Sequence, residues 1–110
     1  MEKITAIKQN RDFVRAYTKG KRIKSPLFCM YYVKNRTGTR RLGITVSKKI
    51  GNAVIRNRTR RIIREAYREC QDTFKCGWDI VIVAYFNATD KKKDDILSEI
   101  LRVAPKEITK

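Results

Sequence analysis

Six arginines stand between residues 51 and 68 in GNAVIRNRTRRIIREAYR: Arg56, Arg58, Arg60, Arg61, Arg64 and Arg68, with a single acid, Glu65. A guanidinium group is planar and permanently charged, and its fork of donors matches a phosphate and stacks on bases. The apolar residues Ile62, Ile63, Ala66, Tyr67 and Cys70 recur at three- and four-residue steps, the spacing of an amphipathic helix. At about 100° per residue, Asn57, Arg60, Arg61, Arg64 and Arg68 share one arc and the apolar set fills its neighbour, with Tyr67 at the border. A solvated helix face normally mixes both signs, and this one has almost no acids. The chemistry offered is phosphate binding. Glu65 is expected to pair with Arg61 or Arg68.

Catalytic groups are scarce by comparison. The chain has no histidine, which removes the commonest general acid/base and the commonest metal ligand. Its three serines (Ser25, Ser47, Ser98) therefore lack the usual activating base. Most carboxylates lie in the C-terminal third, where Asp94 and Asp95 are helix neighbours and point apart, so no cluster for a two-metal nuclease is evident. Cys29, Cys70 and Cys76 match no metal spacing and fit free thiols in a reducing compartment. No catalytic residue and no protein-held metal or cofactor is expected.

The charge is uneven along the chain. Of 110 residues, 27 are basic and 11 acidic, a net charge of +16. Residues 1–33 carry +6, residues 34–68 carry +11 and residues 69–110 carry −1. Such a field steers a polyanion toward one part of the molecule. No apolar run approaches the length of a membrane span, and the N-terminus lacks the apolar core of a signal peptide, so a cytoplasmic chain without a membrane partner is expected.

The elements that must position these residues follow from pattern. Residues 8–19 read as a helix with Asn10 or Asp12 as cap, Phe13, Val14 and Tyr17 as an apolar stripe, and Gly20 at its C-terminal end. A short strand is possible near Arg22. Residues 27–33 (LFCMYYV) alternate as a strand, with Phe28, Met30 and Tyr32 on one face and Cys29, Tyr31 and Val33 on the other. Residues 35–39 read as a hairpin connection to a strand over 41–47, with Leu42, Ile44 and Val46 facing one way. Residues 48–52 lead into the arginine helix, with Asn52 a possible cap and an end near 70–73. The most apolar run, 78–86 (WDIVIVAYF), suits a strand buried on both faces. A turn over 87–90 and a helix over 94–103 close the chain. The expectation is one RNA-binding domain over residues 1–110. Its class is α+β, an α/β sandwich in the order α-β-β-β-α-β-α, with a mostly antiparallel sheet of about four strands covered by helices.

Phe13, Tyr17 and Tyr31 admit two readings. Periodicity alone favours core; the alternative, with basic residues Arg15, Lys19 and Lys21 beside them, is a base-stacking platform for single-stranded nucleic acid.

The arginine stretch resembles the arginine-asparagine-arginine signature of the bacterial ribonuclease P protein family. The preceding LGITVSKKIGNAV and the Asp12-Phe13 pair resemble it too, and the likeness runs through nearly the whole chain in order. Arg60 stands where the family often has lysine. The resemblance implies a small protein that joins a catalytic RNA, in a holoenzyme that removes the 5′ leader from precursor transfer RNA by Mg2+-assisted hydrolysis, with the chemistry in the RNA. It implies contacts to the RNA subunit from Lys48, Lys49, Asn52, Arg56, Asn57, Arg58, Arg60, Arg61, Arg64 and Arg68. Phe13, Tyr17 and Tyr31, with Arg15 and Lys21, would form a cleft for the single-stranded leader. A left-handed β-α-β crossover, against the usual hand, is implied as well. Two other classes fit the charge: a general RNA-binding module such as a small ribosomal protein, and a DNA-binding protein with its helix in a major groove. Base readout usually mixes Arg with Asn, Gln and Glu, so backbone recognition of RNA fits better than DNA.

Overall fold

The computed structural model describes residues 3–110. Its elements are α1 (Asn10–Lys19), β1 (Lys21–Lys24), β2 (Phe28–Lys34), β3 (Arg41–Thr45), α2 (Ala53–Cys70), β4 (Trp78–Ala84) and α3 (Lys93–Val103), joined by short 3-10 turns. The order is the expected one, and the short strand near Arg22 is present. The four strands form one mixed sheet in the order β1-β2-β4-β3. The pairs β1–β2 and β2–β4 are antiparallel, and β3 runs parallel to β4.

That order corrects the hairpin expected across residues 35–39. The chain does reverse there, around Gly38 at φ 73°, but β2 and β3 do not pair. The strand β4 lies between them because it is the run with the most apolar area to bury on both sides: Ile80, Val81 and Ile82 are wholly buried. A parallel neighbour needs a long crossover, and α2 supplies it. The outer edge of β3 is covered by the N-terminal segment, with Ile7 N–H donating to the Leu42 carbonyl and Leu42 N–H to the Thr5 carbonyl, each at 2.9 Å.

The alternation of β2 sorts the two layers as read from sequence. Phe28, Met30 and Tyr32 join Leu42, Val46, Ile80 and Ile82 beneath α2 and α3, which contribute Ile63, Ala66, Tyr67, Ile96 and Ile100. The other face carries Tyr31, Val33, Val81 and Val83 and is covered by α1 through Phe13 and Ala16. Tyr67 is fully buried and stacks on Phe74 with ring centroids 5.8 Å apart, so it belongs to the core and not to the border of the arginine arc. Burial pushes the Cys70 thiol up to about 11, which leaves it an inert packing group.

Two helix starts differ in how they are capped. Asn52 caps α2 as expected, its side-chain oxygen accepting from Ile55 N–H at 3.0 Å. At α1 the cap is Gln9, and it makes no side-chain bond. Asp12 is turned instead toward Arg41, 3.6 Å away. The stripe on α1 is also narrower than expected. Its contact line runs through Phe13, Ala16 and Tyr17, and Val14, about 100° round from Phe13, is 47% exposed.

Gly20 ends α1 because nothing larger fits. A Cβ there would stand 2.4 Å from the Ala16 carbonyl oxygen and 2.9 Å from that of Tyr32, both main-chain atoms. Gly20→Ala is therefore expected to cost about 1–3 kcal/mol, since helix and strand must part. Urea unfolding measures it; a loss below about 0.5 kcal/mol, within the range of an ordinary surface change, would mean that the end of α1 is not pinned to β2.

Candidate nucleic-acid interface

The helix α2 presents its charge as its sequence requires. Thr59, Ile63, Ala66, Tyr67 and Cys70 form the buried line. Asn57, Arg61 and Arg64 are exposed, Arg60 and Arg68 partly so. Arg60 donates to the Asn57 side-chain oxygen at 3.2 Å, which steadies both groups on one face. Arg58 turns the other way and donates to the Thr89 carbonyl at 2.6 Å, tying α2 to the segment before α3. Arg56 is half-buried. Lys48 and Lys49 project from the turn before α2, exposed, on a 3-10 turn begun by Ser47, whose hydroxyl accepts from Lys49 N–H at 3.2 Å. Asn52 is committed to capping. Among the described residues Glu65 pairs with neither Arg61 nor Arg68, which corrects that expectation. It lies near Lys93, whose ammonium is held above its usual value first by Glu69 and, more weakly, by Glu65. The two arginines thus keep their charge for a partner.

The three aromatics meet on the opposite face of the sheet. Phe13 packs over Gly43, where a Cβ would stand 2.5 Å from the ring edge. Tyr17 is 38% exposed and its hydroxyl lies 2.7 Å from that of Thr45. Its ring meets Tyr31 edge-on at 5.0 Å and Phe13 at 6.5 Å. The rings thus form a row across the sheet from β3 toward β2, half-buried at Phe13 and open at Tyr17. Such a row can take stacked bases.

Two basic residues assigned to this cleft sit differently. Lys21 pairs across the strands with Tyr32, and so lies on the face away from Tyr31, where it bonds Glu107 at 2.8 Å. Arg22, the cross-strand partner of Tyr31, takes the place beside the rings. Strict alternation in KRIK was the signal that could have found it. Arg15 reaches the floor of the sheet, donating to the Lys34 carbonyl at 3.1 Å and to Asp79 at 3.4 Å.

Asp79 escaped the sequence reading altogether. It is fully buried at the start of β4 and receives Arg41 on both oxygens at 2.7 Å, with Asn35 at 2.7 Å. Its hydrogen bonds, partly offset by burial, hold Arg41 more firmly protonated than usual. Arg41 then carries Asp12, so one buried carboxylate links β2, β3, β4 and α1. The only hint was an acid inside the most apolar run of the chain.

No three His, Cys, Asp or Glu side chains come together among the described residues, and the two carboxylates nearest the rings are both turned onto Arg41. The donor set does not fit a protein-held magnesium ion. No described helix is long and apolar enough to cross a membrane.

A small hollow of about 130 Å³ joins the two surfaces at the edge of β3: Phe13, Leu42, Gly43 and Ile44 line it together with Arg60 and Arg64. The row of rings and the arginine face thus adjoin at Phe13, with Ile4, Ala6 and Ile7 also lining the hollow.

Known proteins share this fold. The family model described as Ribonuclease P matches residues 1–106. The ribonuclease P protein component of Clostridium botulinum (strain Langeland) is 39% identical over 101 residues, 91% of each chain. That of Alkaliphilus metalliredigens is 36% identical over 106 residues, 96% of each. The solved RNase P protein of Staphylococcus aureus superposes with a TM-score of 0.81 at 37% identity, covering 92% of this chain and 93% of that one. The RNase P protein of Thermotoga maritima gives 0.79 at 27% identity, covering 88% and 92%. The chain belongs to the ribonuclease P protein family, the protein component of a ribonuclease that processes transfer RNA.

Proposed function

We propose that this chain is a single RNA-binding domain that works in the cytoplasm as the protein subunit of a ribonuclease P ribonucleoprotein. It binds the catalytic RNA through Lys48, Lys49 and the arginine arc of α2, and the single-stranded 5′ leader of precursor transfer RNA through Phe13, Tyr17 and Tyr31. The adjacency of the two surfaces at Phe13 carries this reading. Phe13 borders the same hollow at the edge of β3 as Arg60 and Arg64, so one small protein can hold substrate and RNA subunit side by side.

The protein's part is positional. Its rings accept bases, its guanidinium groups neutralise phosphate, and neither does acid/base chemistry. With no histidine in the chain, and with Asp12 and Asp79 both engaged by Arg41, hydrolysis falls to the RNA subunit and the Mg2+ that it binds.

Cleavage of precursor transfer RNA at physiological magnesium tests the division of labour. The RNA subunit alone should be slow, addition of the protein should accelerate it, and rigorously RNA-free protein should cut nothing. Cleavage by the protein alone would overturn the reading. Equal binding of unrelated RNAs with no acceleration would leave only a general RNA-binding module. In the same system Arg60→Ala with Arg64→Ala is expected to weaken binding to the RNA subunit by about 1.5–3 kcal/mol. The dependence of log K on log salt should flatten by about two, one for each lost phosphate contact. Neither side chain is buried, so folding should survive. A folded double variant with an unchanged salt slope would remove the arc from the RNA face.

A further inference from the structure

A separate cleft of about 930 Å³ remains. It opens between α1, with the segment before it, and the loop joining β2 to β3. Six basic side chains line it: Lys8, Arg11, Arg15, Lys19, Arg36 and Arg41, with Asp12 as the one acid. Phe13, Tyr17 and Tyr31 are not among its walls, and neither is any arginine of α2.

The cations fall into two sets. Arg15 and Arg41 form the floor and are fixed by Asp79 and Asp12. Lys8, Arg11, Lys19 and Arg36 form the rim, are exposed, and make no ion pair among the described residues. Two carboxylates balance the floor, so the rim's charge is left over. Four like charges around one cleft repel each other and draw in an anion of matching extent. Arg11 and Lys19 lie eight residues apart on one helix, about 12 Å at 1.5 Å per residue, a span that suits a run of phosphates better than a single one. The cleft has no ring to stack a base, whereas the side chains of Thr5 and Gln9 add groups typical of phosphate and sugar contact.

We propose that this cleft is a second RNA site, which grips a phosphate backbone without reading bases and is separate from the row of rings. It goes beyond the leader and α2 contacts while resting on the reading of the chain as an RNA-binding subunit. The backbone can come from the catalytic RNA or from the mature body of the transfer RNA, and binding measurements separate the two.

The test uses the full chain with Arg11→Glu and Arg36→Glu together, beside Lys75→Glu with Lys106→Glu, an equal charge change on exposed residues that do not line the cleft. Melting temperatures confirm that both variants fold; Lys8→Gln with Lys19→Gln gives a second, milder reading of the same rim. Three probes are titrated: the catalytic RNA with protein, then mature and leader-bearing transfer RNA with holoenzyme assembled at saturating protein. The expected result is at least a tenfold greater loss for the cleft variant than for the control, with the salt slope lower by about two. Loss with the catalytic RNA assigns the groove to that subunit. Loss equal for mature and leader-bearing transfer RNA assigns it to the transfer-RNA body. Either supports the proposal. Loss confined to the leader's own increment in affinity, or losses matching the control in every arm, would overturn it. Failure of the underlying reading looks different, because the unaltered chain would then bind unrelated RNAs as well as these three and would not accelerate cleavage.

Discussion

Arg41→Ala is expected to be the most damaging single change in the chain, at about 3–5 kcal/mol of stability. Arg41 meets both oxygens of Asp79 at 2.7 Å, and Asp79 has no exposure to water. Truncation leaves a buried carboxylate with Asn35 and a longer contact to Arg15 as its remaining donors. It also releases Asp12, and with it the first turn of α1. For a chain of this size the melting temperature should fall by more than about 10 °C. Replacing both partners, Arg41→Leu with Asp79→Leu, should recover much of the loss, because removing a buried pair is far less costly than breaking one. A single-variant loss below about 1 kcal/mol, or a double variant no better than the single one, would show that the pair does not hold these elements together.

That pair also marks the limit of what could be read in the sequence. Local patterns carried well: the alternation of β2 sorts Phe28, Met30 and Tyr32 from Tyr31 and Val33, Asn52 caps α2, and the buried line of α2 lies beside its arginine arc. These depend on period and cap chemistry within a few residues. Pairing of distant strands does not. Gly38 and its neighbours announce a reversal of the chain, and nothing local says that β4, some forty residues on, will enter between the strands they join. Asp79 acquires its meaning only from that insertion, which brings Arg41 and Asn35 to either side of it. Lys21 and Arg22 show the same limit at the scale of one residue. Both are basic and adjacent to the expected cleft, and only the register of β1 against β2 decides which of them stands beside Tyr31.

The same placement makes Phe13 the sharpest test of the leader site. The ring is half-buried, packed over Gly43 on one side and bordering the hollow shared with Arg60 and Arg64 on the other. A ring wholly in the core would lose about 3–5 kcal/mol of stability on truncation. Phe13→Ala should lose less than that, because part of its surface is already open and Ile7, Ala16 and Val81 still close the core behind it. What it should lose is stacking: about 1–3 kcal/mol in holoenzyme affinity for precursor transfer RNA bearing a leader. Mature transfer RNA lacks the leader and should bind almost unchanged. Melting temperature measured beside the two affinities separates the cases, since unfolding lowers both affinities together and loss of a stacked base lowers only one. A large fall in stability with no preferential loss for the leader-bearing substrate would return Phe13 to the core and leave Tyr17 and Tyr31 without their neighbour in the row.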